Sequence, residues 1–103
     1  MKYKIIITEP AESDIASAVH YIAHELRNRS AAIKLLNDLE SSIASLSESP
    51  ERYPLVRNDH LASNGFRFLP IHKYLAFYIV REETRTVTVE RFLHSRRDWG
   101  SII

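Results

Sequence analysis

Near its C-terminus the chain reads VERFLHSRRDW, which crowds His94, Arg96, Arg97, Asp98 and the only tryptophan, Trp99, into a few residues. Imidazole ordinarily titrates near neutrality, so His94 can serve as a general acid or base. Arg96 and Arg97, with Arg57 and Arg67 further upstream, can hold phosphate oxygens. Tyr74 or Trp99 can stack on a base. Each residue also has a plainer use. A histidine that ends a strand often caps or is solvated, Asp98 can pair with either arginine, and Trp99 can cover a sheet edge.

The other histidines carry less. His20 and His24 stand at i, i+4, a spacing that can hold zinc on a helix. The residues between them contain no acid and no third ligand is evident, so no metal site is expected. His60 and His72 read as surface residues. With no cysteine in the chain, disulfides and thiolate metal sites are excluded. No cofactor is expected either.

The elements that would position these residues can be read from patterning. YKIIIT is a short β-branched strand ended by Thr8, which can also cap a helix with Pro10 in its first turn. Ile15, Ala18, Val19, Ile22 and Leu26 recur at helical spacing and predict a helix over about residues 9–27. Ser30 is the expected cap of a second helix, whose stripe is Ala32, Leu36, Leu39, Ile43 and Leu46 and which ends at Ser49-Pro50. The short link makes the two an antiparallel hairpin. PERYPLVRNDHLASNG reads as a surface loop. FRFLPI, YLAFYIV and TVTVERFL are three strands, the last two joined by the tight EETR connection. YLAFYIV is apolar on both faces and should be central, with Leu39 and Phe77 both buried.

The order β-α-α-β-β-β gives an α+β fold: a helical hairpin packed on one face of a small, mainly antiparallel sheet. The other face is expected to be free for function. Strand parity adds a constraint. In a regular strand His94 shares a face with Phe92, and Arg91 with Val87 and Val89, so His94 and Arg91 enter one site only through a bulge.

Length and composition fit a single domain over residues 1–103. The 103 residues are 45% hydrophobic and 26% charged, with two glycines and four prolines, which leaves no low-complexity linker. The N-terminal apolar run is too short for a signal peptide or membrane span, so no membrane association and a cytoplasmic location are expected. The net charge of +1 argues against coating nucleic acid by bulk charge. The basic surplus lies after Glu51, which should meet any anionic partner.

The order of elements resembles the RelE/ParE toxins of bacterial type II toxin–antitoxin systems. So do AESDIASAVHYIAHEL on the first helix, ASLSESPERYPLV at the end of the second, and KYLAFYIV followed by VTVERFLHSRRDW. The resemblance implies a toxin neutralised by a cognate antitoxin, in a possible heterotetramer, whose acidic segment is expected near Arg67 and Arg91. It leaves the target open. Ribosome-dependent mRNA cleavage is placed first, without metal, using His94, Arg67 and Arg91 for catalysis. Arg57, Tyr74, Arg96, Arg97 and Trp99 would then contact the RNA or another target. DNA gyrase inhibition by binding is the alternative, and an inactive antitoxin-binding relic a second. Ribosome-dependent members usually carry arginine just after the aromatic of KYLAFYIV, where this chain has Leu75.

Overall fold

The computed structural model describes residues 2–103. Its first strand, β1 (Lys4–Ile7), consists of lysine and three isoleucines. Thr8 is extended and its hydroxyl accepts from the Ala11 amide at 3.2 Å, which caps α1 (Glu9–His20). Pro10 and the acids Glu9 and Glu12 occupy the first turn, where a missing N–H and negative charge both suit the helix dipole.

The expected helix over 9–27 stays helical to Glu25, but from Tyr21 to Glu25 it widens into a π turn. The extra residue in that turn rotates the positions beyond it, so Leu26 leaves the inward stripe and is 56% exposed. Arg27 then takes a left-handed conformation, φ 50°, and Asn28 caps α2 (Arg29–Ser45) by accepting from the Ala31 amide at 3.1 Å. Ser30, the expected cap, already lies inside the first turn and donates its hydroxyl to the same asparagine oxygen.

The inner stripe of α2 also differs from expectation by one position. Ala32, Leu35, Leu39, Ile43 and Leu46 are buried, whereas Leu36 is 36% exposed. Both leucines satisfy helical spacing, and the sheet selects Leu35.

The three C-terminal strands are β2 (Phe66–Ile71), β3 (Tyr74–Arg81) and β4 (Thr86–His94). The sheet order is β1-β4-β3-β2, antiparallel except for the β1–β4 pair. The helical hairpin covers one face, over Leu69, Ile71, Ala76, Tyr78, Val87, Val89 and Phe92. Leu39 is 3% and Phe77 0% exposed, as expected.

The second face is not free. A second core of Val56, Leu61, Phe77 and Leu93 lies there, joined by Leu75, Trp99, Ile102 and Ile103. Two short helices outside the expected order supply its cover: α3 (Asp59–Ser63), capped by Asn58, and α4 (Trp99–Ile102). The expected surface loop therefore carries a structural load, since Pro50, Val56 and Leu61 within it are buried.

Tyr78 ties the sheet to the segment that follows α2. It is fully buried and its hydroxyl donates to the Pro50 carbonyl at 2.6 Å. Burial pushes the phenol up from 10.0 to about 12. A raised pKa stabilises the fold below the ordinary value, and that contribution is lost as pH rises through about 12. Unfolding measured by circular dichroism across this alkaline window should show the loss, and Tyr78→Phe should remove the phenol's share of it. An unchanged alkaline profile in Tyr78→Phe would contradict this role.

Candidate functional site

The face of each residue near the end of β4 is set by one irregularity. Phe77 pairs with Arg91 and Tyr78 with Val89, so Glu90 is an extra residue, a bulge. The bulge brings Phe92 onto the same face as Val87 and Val89, with His94 two residues further on. Leu93 turns to the second core.

The bulge does not deliver Arg91 to His94. β1 is only four residues long and stops opposite Val89, so beyond that point α1 lies beside β4. There Asp14 accepts from Arg91 Nε at 2.7 Å, Arg91 Nη2 at 3.0 Å and the Phe92 amide at 3.0 Å. The hydrogen bond to Asp14 raises the Arg91 pKa further. Arg91 thus closes a sheet edge.

Arg67 is committed elsewhere. Its guanidinium donates to the Tyr53 carbonyl at 2.6 Å and lies 3.8 Å from the Glu51 carboxylate. It pairs with Tyr78, while His94 pairs with Tyr74. That separation is about 13 Å along the strands and about 10 Å across them. His94, Arg67 and Arg91 do not converge.

Around His94 the geometry is more specific. The Arg96 amide donates to Nδ1 at 3.1 Å, so the proton of the neutral ring sits on Nε2. A ring protonated on both nitrogens would have to give that bond up. Tyr74 stacks on Phe92 with ring centroids 5.0 Å apart and meets His94 edge-on at 5.3 Å. Burial, with Tyr21 nearby, raises the Tyr74 phenol. Tyr74, His94 and Arg97 share a cleft of about 430 Å³ with Asp14, Ser17 and Tyr21.

The remaining expected site residues separate by role. Arg96 and Arg97 are exposed, and among the described residues neither forms an ion pair. Asp98 accepts from the Ser101 hydroxyl at 3.1 Å and not from either arginine. Trp99 packs on Phe77, centroids 5.3 Å apart, as part of the second core. Arg57 is exposed next to α3, in the layer across the sheet from His94. Leu75 also faces that layer, so its side chain points away from His94.

Two residues were missed from sequence. Asp14 carried a weak signal, an acid inside the apolar stripe of a helix. Tyr21 carried little, standing three residues after Ala18 at the edge of the apolar stripe of α1. Among the described residues no cluster of three metal-ligating side chains occurs, and no helix is long and apolar enough to cross a membrane.

The sequence matches the model for the ParE toxin of the type II toxin–antitoxin system parDE over residues 5–99. The chain belongs to the ParE toxin family. Solved structures with the same fold include the chromosomal ParDE toxin–antitoxin system from P. aeruginosa, at 18% identity and a TM-score of 0.69. That alignment covers 90% of this chain and 96% of the other. The RelBE2 toxin–antitoxin complex from Mycobacterium tuberculosis aligns at 19% identity and a TM-score of 0.64, covering 91% and 99% of the two chains. No curated protein matches the sequence significantly. This ParE-family chain is the toxin of a type II system, with a sheet whose second face is closed by its own tail.

Proposed function

We propose that this toxin inhibits growth by binding its target rather than by cutting RNA, and that the target is DNA gyrase. The observation that carries the reading is the dispersal of the cleavage residues. Phosphodiester cleavage by 2′-hydroxyl attack needs a proton acceptor and cations around one phosphorane. Here Arg91 is held by Asp14, Arg67 by Tyr53 and Glu51, and Leu75 lies across the sheet from His94. Next to His94, Arg96 and Arg97 form no ion pair among the described residues, and they sit on a turn fixed by the Arg97 amide to the His94 carbonyl at 3.0 Å. That turn suits a contact surface.

Ribosome-dependent cleavage is the second reading, favoured by the shared cleft of Tyr74, His94 and Arg97. Induced expression with parallel readouts of DNA and protein synthesis separates the two. Early replication arrest or DNA damage is expected. Early loss of translation would transfer the function to the ribosome.

The toxin's partner is a cognate antitoxin, as in the ParDE and RelBE2 complexes. Arg67 and Arg91 already have acidic partners, so we place the antitoxin instead on the apolar groove between α1 and α2. Val19, Ala23, Ile33 and Leu36 line it, with Ile33 59% exposed. Hydrogen-exchange protection on both helices in the complex is the expected result; protection confined to β2 and β4 would contradict it.

A further inference from the structure

A second cleft, of about 350 Å³, lies between the π turn, the start of α2 and the β2–β3 turn. We propose that it is the toxin's grip on its target and that it takes one apolar side chain from an acidic protein segment. The inference rests on the target-binding reading above and names the surface and chemistry of that contact.

Its aliphatic lining is Ile22, Leu26 and Ala31, beside Tyr21, Tyr74 and His94. Tyr21 is 51% and Leu26 56% exposed, so two large side chains adjoin one opening and face water. The π turn creates this arrangement by rotating Leu26 out of the helix stripe. A nucleobase would bury part of its polar edge against the aliphatic carbons of Ile22, Leu26 and Ala31, where no hydrogen bond replaces water. An apolar protein side chain loses nothing.

Charge selects the flanks of that segment. Lys73 stands at the rim, and Arg97 lines the adjoining cleft on the other side of Tyr21, Tyr74 and His94. Neither forms an ion pair among the described residues. Of the acids near the two clefts, Asp14 is held by Arg91 and Asp38 by His72 and Lys34, which leaves Glu25 beside Leu26 against Lys73 and Arg97. An acidic partner therefore finds cations in excess. Tyrosines lining an apolar cleft with an arginine in the cleft beside it are also the composition of interface hot spots.

The rim is built before any partner arrives. His72 Nε2 lies 2.6 Å from Asp38 on α2, the Ser95 amide donates to the Lys73 carbonyl at 2.8 Å, and the Arg96 amide holds His94. A preformed rim lowers the ordering cost of association.

The test uses Leu26→Glu and Lys73→Glu, both at exposed positions, in the full-length toxin. Growth inhibition, affinity for purified gyrase, affinity for the antitoxin and melting temperature are measured for each. Gyrase affinity should fall roughly thirty-fold in Leu26→Glu, the scale of a hot spot. Lys73→Glu should lose about ten-fold. Antitoxin affinity and melting temperature should not move. Full toxicity in both variants would overturn the proposal, and so would loss of antitoxin affinity, which would give the cleft to the antitoxin. Should Leu26→Glu fail to fold, Lys73→Glu decides alone. If wild-type toxin cleaves RNA and folded variants lose cleavage, the occupant is RNA and the protein assignment is wrong. If gyrase does not bind but the variants lose toxicity without RNA cleavage being involved, the cleft stands and only the identity of the target fails.

Discussion

Replacing Asp14 with alanine should cost about 3 kcal/mol of stability, the largest loss expected from any single change of a charged residue in this protein. The carboxylate serves three donors at once, two on Arg91 and the Phe92 amide, and its side chain is only 14% exposed. Removing it leaves a guanidinium, 25% exposed, without its partner and a strand-edge N–H without an acceptor. Arg91→Ala should cost less, about 1–2 kcal/mol, because Asp14 still accepts from Phe92. Denaturant unfolding of both single variants and the double variant gives the coupling between them. Equal losses in the two single variants would mean that the Phe92 contact contributes nothing.

The second large effect concerns the basic turn. Arg96→Glu combined with Arg97→Glu should reduce growth inhibition at least about tenfold, since like charge now faces an acidic target. The melting temperature should hold, because both side chains are exposed and unpaired among the described residues. Trp99→Ala should behave in the opposite way. Its partly buried ring packs on the second core against Phe77, so the loss, about 2 kcal/mol, should appear in stability first. Toxicity would then fall only as far as the folded population does. A charge-reversed protein that is fully toxic would remove the turn from the contact surface.

Much of this was legible in the residues. FRFLPI is the whole of β2, and YLAFYIV and TVTVERFL lack only the last residue of β3 and β4, since β-branched and aromatic runs bounded by turn residues leave few alternatives. Thr8 and Pro10 mark the start of α1 unambiguously. The features that escaped share a cause: they depend on how elements meet. Leu35 and Leu36 satisfy one periodicity equally, and only the sheet distinguishes them. The second core joins Val56 and Leu61 from a loop to Ile102 and Ile103 from the tail, none of which belongs to a periodic run. Asp14 gains its role because β1 is too short to cover β4. The Glu90 bulge and the π turn are each one residue out of register, which no propensity scale marks. Those two irregularities also shape the surface around His94.

His94→Asn decides between binding and cleavage most directly, because asparagine keeps a side-chain acceptor for the Arg96 amide but cannot transfer protons near neutrality. Growth inhibition on induction, measured beside melting temperature and antitoxin affinity, is the readout. A toxin that acts by binding should lose no more than about ten-fold, the share of one side chain lining the target cleft, with fold and antitoxin affinity intact. Acid–base catalysis is worth about 10²–10⁴-fold. A well-folded, antitoxin-binding His94→Asn protein that no longer inhibits growth would contradict the binding account and restore His94 as a catalyst.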